Sequence, residues 1–126
     1  MRVFTISAIA FAVLLIIVFV YQAVSSKAEQ DILSLTSVLE KGIAEENINS
    51  VSETFASLQD KWKSTRKLLM AVSEHSDLDR VEEHVKNIGS ELKYENFEDA
   101  YKEVQLFKML LHNIFSISQP TLTNIL

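Results

Sequence analysis

The chain has no cysteine, one proline and two glycines among 126 residues, and each scarcity excludes something. Without cysteine there is no disulfide framework, thiolate metal site, cysteine nucleophile or lipid-modified cysteine anchor. With so few breakers, and with Leu, Glu, Lys, Ala and Ser abundant, long helices are favoured over strands joined by tight turns. Gly42 and Gly89 stand alone inside helical patterns, so there is no phosphate-cradling glycine loop and no Gly-x-Ser-x-Gly elbow. Positive charge is also short: 12 basic residues face 17 acidic ones, a net charge of −5. An acidic chain is a poor match for nucleic acid, whose affinity depends on neutralising phosphates with Lys and Arg.

Apolarity is concentrated at the front. No charged side chain occurs from Val3 through Ser26. Its most apolar part, residues 3–21 (Val3 to Tyr21), would reach roughly 28 Å as a helix, close to the hydrocarbon thickness of a bilayer. Tyr21 and Gln22 stand where an interfacial aromatic and a first polar group are expected. A soluble core helix would carry a polar stripe, and residues 12–20 are apolar all round. The segment therefore reads as a transmembrane signal-anchor over residues 1–26, followed by a helical domain over 27–126. A cleaved secretory signal is the rival, because Ala23-Val24-Ser25 offers small residues for a cut after Ser25; the apolar run is longer than a signal core needs. Arg2 precedes the span and Lys27 follows it, which places the N-terminus in the cytoplasm and the domain outside, at the cell membrane. Ala8 and Ala12 form a small-xxx-small pair of the kind that seats homo-oligomeric spans, although alanine is common in such segments.

Behind the span the periodicity is that of an all-α domain. Four stretches, about 29–46, 48–73, 77–94 and 97–117, carry apolar residues at three- and four-residue intervals. Ser50 and Glu53 have capping-box spacing, Asp77 suits an N-cap for the third stretch, and Asn96 opens the fourth. Sliding the chain along itself by 49 residues superimposes the halves. Ile32 meets Val81, Leu39 meets Ile88, Ile43 meets Leu92, Phe55 meets Val104, Leu58 meets Phe107 and Trp62 meets Leu111. The connector Glu46-Asn47-Ile48 falls on Glu95-Asn96-Phe97. Two copies of one helical hairpin account for this, closed as an antiparallel four-helix bundle or stacked as a TPR-like pair. Two units are few for a solenoid, which favours the bundle. Leu68, Leu69 and Met70 need a cover, and Leu122, Ile125 and Leu126 in the tail are expected to fold back and supply it.

Chemistry is sparse. His75, His84 and His112 make no His-x-x-x-His pair and no Glu-x-x-His motif; Asp79 and Glu83 form a one-turn carboxylate pair without further ligands. No metal, cofactor or catalytic residue is indicated, and the carboxylates lie on polar helix faces or near helix starts. The distinctive local feature is Trp62 with Lys61, Lys63, Arg66 and Lys67. As a patch it would suit anionic headgroups, a wall polymer or an acidic partner. As a helix stripe, Trp62 continues Phe55 and Leu58 into the core and the lysines are the solvated side.

The sequence from anchor to end resembles an uncharacterised bacterial family, domain of unknown function 4363. The resemblance is carried by Asp60-Lys61-Trp62, His75-Ser76-Asp77-Leu78-Asp79, the run from Leu110 to Ile114, and the final Thr121-Leu122-Thr123-Asn124-Ile125-Leu126. It implies a Gram-positive membrane protein and brings no established activity. Two functions are compatible with these features. One is an interaction or structural module binding an envelope or membrane protein partner; the other is a sensor or carrier of a small molecule or lipid. No enzyme is expected.

Overall fold

No glycine or proline interrupts the chain before Gly42, and the backbone takes the consequence literally. Helix α1 runs without a break from Arg2 to Ala44, 43 residues and about 65 Å. The change from apolar to amphipathic sequence near Ser25 suggested two elements, but helical hydrogen bonding is indifferent to side-chain polarity, and residues 22–28 offer nothing to stop it. Three more helices follow: α2 (Ile48–Leu69), α3 (His75–Lys93) and α4 (Phe97–Ser118). The structure, a computed structural model, describes residues 1–118; the expected docking of Leu122, Ile125 and Leu126 lies outside the described residues.

The helices close a ring. Neighbours pack in the order α1–α2–α3–α4, and α4 returns against α1. That last contact distinguishes an antiparallel four-helix bundle from the TPR-like stack. Only the second half of α1 takes part: its buried residues begin at Ser25 and continue through Ala28, Ile32, Thr36, Leu39, Gly42 and Ile43. The first half stands out from the bundle with its large apolar side chains exposed.

Both hairpins turn by the same device. Each first helix ends in a residue with left-handed backbone, Glu46 at φ 52° and Glu95 at φ 56°. The Asn47 N–H donates to the Gly42 carbonyl (3.1 Å) and the Glu46 N–H to that of Ile43 (3.1 Å). In the second hairpin, Asn96 N–H donates to Glu91 (2.9 Å) and Glu95 N–H to Leu92 (3.1 Å). These are the paired bonds of a Schellman cap, which satisfy carbonyls that the helix leaves orphaned. The 49-residue register thus extends to individual backbone hydrogen bonds.

The core repeats in the same register. Beyond the apolar pairs, Thr36 corresponds to Val85 and Thr65 to Ile114, and all four are buried. Threonine replaces an aliphatic residue there because its hydroxyl bonds back to its own helix: Thr36 Oγ1 to the Ile32 carbonyl and Thr65 Oγ1 to that of Lys61, each at 2.7 Å. At the bundle centre Trp62 meets Phe107 edge to face, 6.4 Å between centroids and 86° between planes.

One helix cap and two helix boundaries differ from expectation. The cap of α2 is Asn47, whose side chain accepts from the Ser50 N–H at 3.3 Å, so Ser50 is inside the helix and the Ser50–Glu53 box is not its start. The α3 ladder begins at the Glu74 carbonyl, which accepts from Asp77 and Leu78. Asp77 is therefore a first-turn acid rather than the cap, still favourable beside the positive helix end. Finally, α2 stops at Leu69, which leaves Met70–Glu74 as the connector between the hairpins.

Candidate functional site

The five residues of the basic stretch lie within nearly two turns of α2, where helical geometry necessarily spreads them around the axis. Trp62 points inward and is only 2 % exposed; its indole N–H makes no hydrogen bond among the described residues. Lys61 leans the other way onto α1, its Nζ 3.1 Å from Asp31. Arg66 faces α3: one guanidinium nitrogen donates to Asp79 at 2.6 Å, and the other donates to Glu82 and to the Leu78 carbonyl. The hydrogen bond to Asp79 holds the Arg66 guanidinium above its ordinary pKa; burial opposes this, and the charges of Glu82 and Asp79 add to it. Lys63 and Lys67 remain exposed. The stretch thus divides into a core residue, two interhelical ties and two solvated lysines.

The Arg66 ties link the two hairpins electrostatically through α2 and α3, and the sequence pattern alone does not show them. Asp79 and Glu82 lie three apart on one face of α3, a spacing that presents two carboxylates to one guanidinium. The signal was there, but nothing linear says which face of α3 meets α2. A second tie, Lys108 to Glu40 at 2.8 Å, closes α4 on α1.

The histidines do not converge. His75 is the exposed first residue of α3, and His112 is exposed on α4. His84 pairs with Glu103 of α4 at 2.6 Å, with Asn87 on the same carboxylate oxygen at 3.5 Å. Among the described residues no three His, Asp or Glu side chains come together as a metal site would need.

Concave surfaces lie at both ends of the bundle. At the far end, Ile43, Ala44, Phe97 and Tyr101, rimmed by Glu46, Glu98 and Lys102, line an open groove of about 460 Å³ between the two hairpin turns. At the near end, Ile16, Ile17, Val20, Tyr21 and Val24 of α1 share an apolar groove of about 360 Å³ with Leu68 of α2. Here the Tyr21 hydroxyl donates to the Leu68 carbonyl at 3.5 Å. The final turn of the apolar run is thereby part of the bundle's own packing.

At this junction the end of the apolar segment touches the helical domain. A family described as a domain of unknown function, DUF4363, matches residues 18–125, from within the apolar run to the penultimate residue. The chain belongs to this family. The matched region includes the junction at Tyr21, both hairpins and the Arg66 ties, so family membership covers the whole bundle. No curated protein and no solved structure matches the chain.

Proposed function

We propose that this DUF4363 chain is a single-pass membrane-anchored interaction module, its bundle held on the extracytoplasmic surface to engage a membrane or envelope protein. The observation that carries the reading is the construction of α1. One unbroken helix is apolar and exposed over its first half, long enough to cross a membrane, and forms a wall of the bundle over its second. Such a helix holds the bundle at the bilayer without a flexible linker.

Retention of the span, rather than cleavage after Ser25, is supported by what a cut would remove. Tyr21 bonds to Leu68, Ser25 is fully buried, and the family match begins at residue 18, upstream of the cut. Orientation follows the nearest basic residues: Arg2 abuts the span, whereas Lys27 stands nearly two turns beyond Tyr21.

A partner surface is available on α4. Leu106 and Met109 lie one turn apart and Ile117 two turns further, all exposed on the outer side of the bundle. Apolar residues at helical spacing on an exposed face suit an amphipathic helix of another protein. A photo-crosslinking residue at Met109 in native membranes should give a reproducible protein adduct that the same residue at Glu53 does not. Adducts with lipid alone would overturn the reading. The carrier alternative draws its support from the open groove beside Phe97 and Tyr101.

A further inference from the structure

The end of the bundle nearest the apolar segment is itself apolar. Helix α2 runs antiparallel to α1, and its last turn reaches the level of Tyr21, where the Tyr21 hydroxyl meets the Leu68 carbonyl. The chain then continues past Leu68: at a rise of about 1.5 Å per residue, Met70 lies some 3 Å further toward the centre of the apolar segment. There the connector exposes Met70, Ala71 and Val72, with Met70 at 45 % and Val72 at 49 %. Val72 shares a cleft with Ile117, which is 74 % exposed at the same end. Methionine, valine and isoleucine side chains are placed where a water-facing end would present polar ones.

We propose that the α2–α3 connector seats in the outer-leaflet interface, with Met70 and Val72 among the headgroups and first acyl carbons. The inference rests on the anchor reading given above, and continuity selects the occupant. Leu68 lines the same groove as Ile16, Ile17 and Val20, so the medium that bathes the end of the span also bathes the base of the bundle. The charges around it fit a shallow seat. Lys27 borders Leu68 on the side away from the span, within reach of phosphate groups, while Glu74 and Asp77 follow Val72. Deeper insertion would drag the exposed Glu74 carboxylate into hydrocarbon, which sets a limit at Val72. The bundle then touches the bilayer at two places, α1 and the connector, and two contacts fix its tilt where one leaves it free.

The absence of cysteine makes the test clean, since any introduced cysteine is the sole labelling site. The full chain is reconstituted in phosphatidylcholine vesicles with a nitroxide on Met70→Cys, Val72→Cys, Val13→Cys or Glu45→Cys. Collision rates with oxygen and with a water-soluble nickel chelate report depth. The expected result is an oxygen-to-nickel ratio several-fold higher at positions 70 and 72 than at 45, approaching that at 13. A ratio at 72 equal to that at 45, with 13 still in lipid, would place the connector in water and overturn the inference while leaving the anchor. An aqueous signal at 13 would remove the anchor reading and the inference with it. Spin broadening at 72 that disappears on dilution with unlabelled chain would assign this end to a second copy, which also overturns it.

Discussion

The two hairpins share a turn, a core register and a helix order, yet among the described residues only the first reaches beyond the bundle. In the second, α3 begins at His75 after an extended Glu74, φ −69° and ψ 139°. The residue 49 positions earlier is Ser26, and there the first hairpin does not begin; its helix has already run from Arg2. The difference between the hairpins is thus an N-terminal addition to one helix, fused in phase. Fusion in phase has a mechanical consequence. A rotation of the apolar segment meets no break in α1 that could absorb it before Ile32, Leu39 and Ile43 of the core.

If the hairpins are energetically as well as geometrically equivalent, the largest effects should come from their matched centre. Trp62→Ala should cost about 3 to 5 kcal/mol, and Leu111→Ala at the equivalent position about 2 to 5, through lost burial and the cavities left behind. Chemical denaturation in mild detergent, followed by helix signal, measures both. Trp62→Phe should cost clearly less than Trp62→Ala, because the ring that meets Phe107 is largely kept and an unpaired buried N–H is removed. A Trp62→Ala variant as stable as the parent would mean that the hairpins do not share one core.

The glycines break the equivalence, since neither has a glycine 49 positions away. A Cβ on Gly42 would lie 2.8 Å from Val51 Cγ2, a stiff side chain at the tightest point of the first hairpin. Gly42→Ala should therefore lose about 1 to 2 kcal/mol net, overpacking outweighing the better helix propensity of alanine. A Cβ on Gly89 would meet only the rim of the Phe55 ring, at 3.0 and 3.1 Å. The ring needs to yield by a few tenths of an ångström, so Gly89→Ala should fall within about 0.5 kcal/mol of the parent. The same melts decide both, and equal losses would show that Phe55 is held as rigidly as Val51.

Between the hairpins the Arg66 ties come next. Arg66→Ala should cost about 1 kcal/mol, because water screens carboxylates as exposed as those of Asp79 and Glu82. Arg66→Lys should recover only part of it, lacking the planar fork that serves two acceptors. Adding salt should narrow the gap between Arg66→Ala and the parent; a gap that ignores salt would point to packing of the arginine stem instead.

Which of these features the sequence disclosed depends on the range over which each is encoded. The stripe from Phe55 through Leu58 to Trp62 is local, so the inward position of Trp62 was legible, as were the repeat and the all-helical class. The fusion of the apolar segment and the bundle was not, because hydropathy changes near Ser25 while the property that governs helix continuity does not. The start of α2 near Ile48 was legible but its cap was not: Ser50 has the residue type of a cap, but Asn47, already fixed by the preceding turn, reaches the orphan N–H first. Arg66 was legible as a charge and not as a tie, since its partners on α3 depend on how two helices are rotated toward each other.

A small expected gain tests the equivalence most directly, because it concerns the backbone turn that the hairpins duplicate bond for bond. Glu46 and Glu95 hold left-handed backbone, a region that costs an L-residue about 1 to 2 kcal/mol and glycine almost nothing. Glycine loses part of that advantage through the greater freedom of its unfolded chain, about 0.4 to 1 kcal/mol. Glu46→Gly and Glu95→Gly should each therefore raise stability by about 0.5 to 1 kcal/mol, and by the same amount as each other. Each also removes a negative charge from an end that carries Glu45, Glu46, Glu95 and Glu98, so part of the gain should fade with added salt. Unequal gains at high salt would locate a difference in the backbone of the two turns; gains unequal only at low salt would locate it in the charges around them.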